Sequence, residues 1–328
     1  MKLVSYQSGH SVRTGIVIGN SIVDMAMAHQ HASAHGGMQL GYLPDDMVAF
    51  LRLGDAGMSD ARRTADWAAS NDVSSISVTY TNDVLRSPVP RPTSMRDGYA
   101  FRQHVESARR NRGLDMIPEF DEIPIFYFTN HNAVTGPGVV DVQDMHLDQL
   151  DFELECAIVI GKEGRNISAA NADDHIAGYF VMNDWSARAM QMHEMKLNLG
   201  PAKGKDFATS LGPVLVTRDE LASRRIETPH GEKYDLKMTT RLNGNDVSLG
   251  NVADMTWTFA QIIERASYGV TLYPGDVIGS GTCGTGCFLE LNGSKVYNPP
   301  LWLKDGDVVE CEIEMLGNLV NTVRRVGA

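Results

Sequence analysis

Apolar runs and turn signals divide the chain into two unequal parts. Near the start, Gly15-Ile16-Val17-Ile18 and Ser21-Ile22-Val23-Asp24 flank Gly19-Asn20, the pattern of a β-hairpin. Helical spacing follows over 45–53 and 59–69, the second stretch with Arg62, Arg63 and Asp66 on a solvated face. Ser87-Pro88-Val89-Pro90-Arg91-Pro92 then holds the backbone extended, because proline fixes its own φ and restricts its predecessor. The boundary between a small N-terminal β/α domain, 1–90, and a larger domain, 91–328, is expected there. Beyond it, strands are predicted at 153–160, 178–182, 214–217, 237–242, 277–280, 287–291 and 307–314, and helices at 185–193 and 257–267. Strands outnumber helices and no βαβ alternation runs through this half. The expected fold class is therefore α+β and β-rich, with a largely antiparallel body.

Composition narrows the partners more than the chemistry. The 328 residues are 43% hydrophobic and 21% charged, an ordinary globular mixture. A net charge of -12 argues against nucleic acid and anionic membranes, though a local basic pocket could still take an anionic small molecule. No run approaches the roughly 18 apolar residues of a membrane helix, and the first residues lack a signal peptide's apolar region. A cytoplasmic location is expected. Cys156, Cys283, Cys287 and Cys311 form no zinc-binding spacing and read as small buried apolar residues.

Two glycine-rich stretches look like nucleotide loops and fail. Gly279-Ser280-Gly281-Thr282-Cys283-Gly284 matches GxGxxG, but 287–291 reads as a strand where a dinucleotide fold needs a helix. Gly200-Pro201-Ala202-Lys203-Gly204-Lys205-Asp206 is one residue short of a phosphate loop, with an acid in place of its Ser or Thr.

The chemistry concentrates in acids. In a strand, Asp151, Glu153 and Glu155 would point one way and Phe152, Leu154 and Cys156 the other. Like charges about 4 Å apart at an effective dielectric near 20 cost on the order of 4 kcal/mol a pair, which solvent or a bound cation must relieve. The apolar continuation Ala157-Ile158-Val159-Ile160 takes this strand into a core. At a strand-to-helix corner, Asp184, Arg188 and Gln191 fall at i, i+4 and i+7, either a capping acid with its ion pair or an aligned acid, guanidinium and amide. Asp97 and His104 would be i, i+7 neighbours if their segment is helical. Glu290 is either the outward residue of a half-buried strand or a further site acid. Arg109, Arg110 and Arg112 follow His104, as a solvated basic helix face or as a lid that captures a substrate carboxylate. Arg112 is the best placed of the three and Gly113 the hinge.

Taken together, these segments resemble the fumarylacetoacetate hydrolase family. Asp151-x-Glu153-Leu154-Glu155 is similar to its metal strand, and Met182-Asn183-Asp184-Trp185-Ser186-Ala187-Arg188-x-x-Gln191 to its most specific signature. Gly204-Lys205-x-Phe207 is similar to a third segment. Asp97-x-Tyr99-x-x-Arg102-Gln103-His104 and Gly279-Ser280-Gly281-Thr282 bring it closest in motifs to fumarylacetoacetase. The resemblance implies a mixed β-sandwich roll, a homodimer, and Mg²⁺ (or Ca²⁺ or Mn²⁺) held by Asp97, Glu153, Glu155 and Asp184. It implies His104, oriented by Glu290, as general base, with Arg188, Gln191 and Lys205 stabilising developing negative charge. Tyr99, Tyr127 and Thr282 would bind substrate. In shorter relatives a glutamate follows the histidine by three residues; here that residue is Ser107, which leaves Glu290 as the partner. The implied reaction is hydrolysis of a C–C bond in a 1,3-dicarbonyl acid such as fumarylacetoacetate or an acylpyruvate, in aromatic catabolism. Decarboxylation, enol–keto isomerisation or hydration of related 2-oxo acids are the alternatives.

Overall fold

Three adjacent strands explain how the acidic stretch comes to be buried. In the computed structural model, which describes residues 1–34 and 36–327, Leu154–Ile160 pairs antiparallel with Ile176–Asp184 on one side and Asp276–Gly279 on the other. Every residue of Leu154–Ile160 is buried, and a strand covered on both faces has no solvated side to alternate with. Cys156, Ile158 and Ile160 join one core, Ala157 and Val159 another.

These strands lie within a 12-stranded sheet. Beyond Ile176–Asp184 come Thr209–Val216, Lys2–Ser8, Ser11–Ile18, Ser21–Asp24 and Ser77–Thr79; beyond Asp276–Gly279 come Ser94–Gly98 and Phe126–Phe128. The sheet thus continues across residue 90, with Leu3 opposite Leu215. The N-terminal hairpin forms as predicted, Ile18 opposite Ser21, and Gly19 supplies the positive φ, +58°, that its turn requires. A five-stranded sheet contributes Met238, Val309, Ile313 and Leu319 to the core that also holds Cys156, Ile158 and Val181. Helices Met47–Leu51 and Gly54–Ser70 supply Phe50, Leu51 and Ala61 to the core of Val159, Phe180 and Leu215. The fold is α+β and β-rich, as expected. Truncating a core side chain such as Ile158 to alanine would cost about 2–5 kcal/mol. All four cysteines are free and buried. No described helix is long and apolar enough to cross a membrane.

Three local expectations are corrected. Residues 287–291 are not a strand: Phe288–Gly293 is a short helix entered from an extended Cys287, because a five-residue apolar run fits either state. A helix therefore does follow the GxGxxG match. A dinucleotide is disfavoured for another reason, since the N–H groups of Phe288 and Leu289 are taken by the Asp151 carboxylate at 2.7 and 2.9 Å. Asp97 and His104 share no helix. Parallel pairing with Asp276–Gly279 holds Asp97 extended in Ser94–Gly98, and the helix Arg102–Arg110 begins later. Nor does Asp184 cap a helix. It ends its strand, Ser186–Ala187 pairs with Leu150–Asp151, and the helix starts only at Arg188.

Candidate active site

Asp97, Glu155 and Asp184 come from three strands of one sheet, the first separated from the second by Asp276–Gly279, and Glu153 from the break before Leu154; each places a carboxylate oxygen within 4.8 Å of the others. Local backbone makes the room. Asp97 lies opposite Gly279, where a Cβ would fall 2.5 Å from its Oδ1 and 2.8 Å from Glu155 Oε2. The N–H of Gly281 donates to both carboxylates, at 3.1 and 3.0 Å, from a φ of +79°. The glycines that imitate a nucleotide loop thus serve two acids. Asn183 fixes the break between Leu150–Asp151 and Leu154–Ile160 by accepting the Glu153 N–H at 2.9 Å.

All four acids are buried, and their charges conflict. Burial and then the neighbouring Asp184 push Asp97 up to about 7. Burial and Asp97 raise Glu155 well above the usual carboxylate range. Burial raises Asp184 as well, against the pull of Lys205. Glu153 goes the other way: burial works against its charge, but Lys205 and Arg188 hold it at about 2. Glu155 Oε1 and Asp184 Oδ1 are buried without a hydrogen-bond partner. Unsatisfied oxygens in a group of four carboxylates this close together, with no thiolate or imidazole among the four, fit a hard divalent cation.

The predicted cations and tyrosine pack against this cluster. Lys205 Nζ donates to Asp184 Oδ2 at 2.8 Å and to Glu153 Oε2. Tyr127 OH donates to Asp184 Oδ2 at 2.6 Å. Arg188 is spent largely on protein: Nε on Asp151 at 2.8 Å, Nη2 on Glu153 at 2.7 Å and Nη1 on Gln191 Oε1 at 3.0 Å. Of its five N–H groups two remain for a substrate oxygen. Asp151, grouped by strand alternation with Glu153 and Glu155, stands outside the cluster, because Leu150–Asp151 and Leu154–Ile160 are separate strands.

The second half of the site is a dyad. His104 Nδ1 and Glu290 Oε2 are 2.8 Å apart and both residues are buried. Tyr99 stands edge-on to the imidazole at 5.9 Å. His104 of the dyad and Asp97 and Glu153 of the cluster line one cavity of about 450 Å³, as do Thr282 and Gln191. Arg112 lines it and donates Nε to Ala108 O at 3.1 Å; Arg109 lines it too, whereas Arg110 turns to Ser107 at 3.2 Å. Sequence reading missed the apolar wall of Val105, Ala108, Ile117, Ile125, Met192 and Met195. Part of it was legible, since 104, 105, 108, 109 and 112 recur at helical spacing. A cavity of similar size, about 440 Å³, lies beside the Gly54–Ser70 helix. Most of its arginines and acids are mutually paired, Arg62 with Asp219 at 3.4 Å and Arg218 with Asp174 at 3.2 Å. It offers no comparable chemistry among the described residues.

Comparison with known proteins follows the same lines. Residues 93–324 match the family described as Fumarylacetoacetate (FAA) hydrolase C-terminal. Oxaloacetate tautomerase YisK of Bacillus subtilis (strain 168) is 30% identical over 332 residues, 98% of this chain and 100% of the relative. The mitochondrial oxaloacetate tautomerase FAHD2A of Homo sapiens is 36% identical over 283 residues, 86% of this chain and 80% of the relative. The crystal structure of maleylpyruvate hydrolase from Sphingobium sp. SYK-6, in complex with manganese (II) ion and pyruvate, superposes with a TM-score of 0.66 at 22% identity over 99% of each chain.

Proposed function

Because the chain belongs to the fumarylacetoacetate hydrolase family, we propose that it is a divalent-metal-dependent enzyme interconverting the keto and enol forms of a short 2-oxo dicarboxylic acid such as oxaloacetate. The observation that carries this reading is that His104, held by Glu290, shares a single cavity with Asp97 and Glu153 of the buried carboxylate cluster. A chelating site and one base are the minimal set for moving a proton next to a carbonyl. The names of the relatives at 30% and 36% identity support the same reaction.

Asp97, Glu153, Glu155 and Asp184 would hold the ion, Mg²⁺ by preference and Ca²⁺ or Mn²⁺ otherwise. When bound, such an ion supplies Lewis-acid polarisation of the 2-oxo acid. With Nδ1 committed to Glu290, His104 Nε2 is left to take a proton from the carbon beside the carbonyl. The C–H electron pair becomes the C=C bond, and a proton is returned to the carbonyl oxygen. Glu290 stabilises the imidazolium between these steps, while the proton transfer by His104 itself is worth roughly 10²–10⁴-fold. Lys205 and Arg188 keep Glu153 ionised and set positive charge beside the developing oxyanion. Arg109 and Arg112 receive the distal carboxylate.

A second reading, hydrolysis of an acylpyruvate-like acid, is favoured by the apolar wall of Ile117, Ile125, Met192 and Met195, which a four-carbon acid leaves unfilled. There His104 would activate water. The test is a side-by-side assay of chelated and Mg²⁺-restored protein. Decay of the oxaloacetate enol is followed spectroscopically, and an acylpyruvate panel by mass-spectrometric product identification. Metal-dependent acceleration of enol decay is expected; cleavage products without that acceleration would replace this reading by the second. Arg112→Ala should raise KM for oxaloacetate several-fold more than for a neutral 2-oxo acid, and equal changes would remove the arginines from recognition. A homodimer belongs to the same proposal, supported by exposed Met195, Leu197 and Leu199 near the cavity mouth and tested by sedimentation equilibrium. A cytoplasmic location, supported by four free cysteines, is proposed with it and tested by fractionation.

A further inference from the structure

Asp151, on the short strand just before the carboxylate-bearing one, is an acid that the chemistry above leaves unused. Its carboxylate is buried and saturated. Oδ1 accepts the N–H groups of Phe152 at 2.9 Å and Phe288 at 2.7 Å. Oδ2 accepts the N–H of Leu289 at 2.9 Å and Nε of Arg188 at 2.8 Å. What matters is what those donors carry. Leu289 immediately precedes Glu290, which holds His104 Nδ1 at 2.8 Å. Arg188 passes on to Glu153 at 2.7 Å and to Gln191 at 3.0 Å. One carboxylate therefore ties the turn of the dyad to the guanidinium of the cluster, although the hydrogen-bonded residues Asp151 and Phe288 lie 137 positions apart in the chain.

We infer that Asp151 is a positioning residue that sets the His104–Glu290 dyad in register with the carboxylate cluster, an inference resting on the reading of His104 as the base. An acceptor with four lone-pair sites is required for four converging donors. An asparagine presents a donor on one side, where it opposes either the Leu289 and Arg188 pair or the Phe152 and Phe288 pair. The consequence falls on geometry at the dyad, because Glu153 keeps Lys205 and the other three acids keep their places. Supporting groups of this kind typically change activity by roughly 10–100-fold.

The experiment compares wild type with Asp151→Asn. A readout independent of turnover is the low-field proton resonance of the imidazole N–H bonded to Glu290, assigned by its loss in His104→Ala. In Asp151→Asn this resonance should shift, kcat should fall roughly 10–100-fold with little change in KM, and the acid limb of the kcat–pH profile should move. Calorimetric Mg²⁺ affinity should stay close to wild type. Asp151→Asn combined with Glu290→Gln should lose less than the product of the two single losses, because both act through the same imidazole. An unmoved resonance with multiplicative losses overturns the inference, as does loss of metal binding in step with kcat. If wild type turns over no 2-oxo acid but the resonance still moves, the functional reading fails and the positioning role stands. Should Asp151→Asn fail to fold by circular dichroism, Asp151→Glu retains the charge but displaces it by one methylene. It should move the same resonance and pH limb, and an unchanged pair would again overturn the inference.

Discussion

Asp24 and Asp60 in the N-terminal segment are as inaccessible to solvent as the acids of the cluster, at 3% and 0% exposure against 3% for Asp97 and 0% for Glu155. Their surroundings differ. Asp24 receives Arg13 Nε at 2.5 Å, Tyr6 OH at 2.9 Å and the Met27 N–H at 2.9 Å. Asp60 receives the N–H groups of Gln39 and Leu40, at 3.0 and 2.8 Å, and faces His29 Nε2 at 3.3 Å. Burial works to raise both carboxyls, but these donors prevail and hold them below the usual range. In the cluster burial wins for three acids of four, helped by their like-charged neighbours. Burial marks a carboxylate as important to the fold; crowding with unsatisfied oxygens marks it for a ligand.

The contrast breaks first at Glu155. Glu155→Ala should abolish both Mg²⁺ binding and turnover, while the melting temperature of the metal-free protein holds or rises, because one repelling charge has gone. Calorimetric titration and thermal denaturation check it, and full activity in chelated wild type would end the metal reading. Next in size is His104→Ala, expected to lose roughly 10²–10⁴-fold in kcat while binding Mg²⁺ normally. Parallel loss of metal would make His104 a ligand and not a base. A smaller effect is expected at the saturated site: Asp60→Asn should cost about 1–3 kcal/mol by stranding the donors of Gln39 and Leu40, with kcat of the folded fraction unchanged. Denaturant unfolding reads the first quantity and active-site-normalised kinetics the second.

The smallest effect is in pH dependence. Asp97 is raised to about 7 from an unfolded value near ~3.9, so the stability it contributes is present at acid pH and is lost as pH rises through about 7. Asp24 and Asp60 are lowered, so theirs is present above ~3.9 and lost only as pH falls further. Metal-free protein should therefore melt a few degrees lower at pH 8 than at pH 5, a slope that saturating Mg²⁺ removes, at about 2–4 °C per kcal/mol for chains of this order. A flat profile without metal would mean that the acids do not repel as described.

Legibility in the sequence followed the range of the interactions concerned. The hairpin at Gly19-Asn20 and the apolar run from Ala157 depend on neighbours, and both stand as predicted. The four acids, the dyad, Lys205 and Arg188 were legible as residues through their motifs, and the structure gathers them around one cavity lined by Asp97, His104, Glu153, Arg188 and Lys205. What could not be read was which element carries them. Cys287-Phe288-Leu289-Glu290-Leu291 fits a strand or a turn of helix equally, and the tie from Asp151 that fixes its first N–H groups lies far away in the chain. Asp184 looked like a helix cap because strand extension to Ala187 depends on pairing with Leu150–Asp151, which no local pattern announces.

The shared sheet has a practical consequence for anyone trimming this protein to residues 93–324. Removing the first ninety residues would strip Lys2–Ser8 from Thr209–Val216, whose eight residues are all buried. Leu215 and Val216 would lose their partners Leu3 and Lys2 while Thr209 and Ser210 keep Val134 and Thr135, so the end of this buried strand would become a short exposed apolar edge of the kind that recruits other chains. On its opposite side the strand pairs with the one that ends in Asp184. The shortened chain would therefore offer other chains an apolar strand end, one strand across the sheet from the one that carries Asp184.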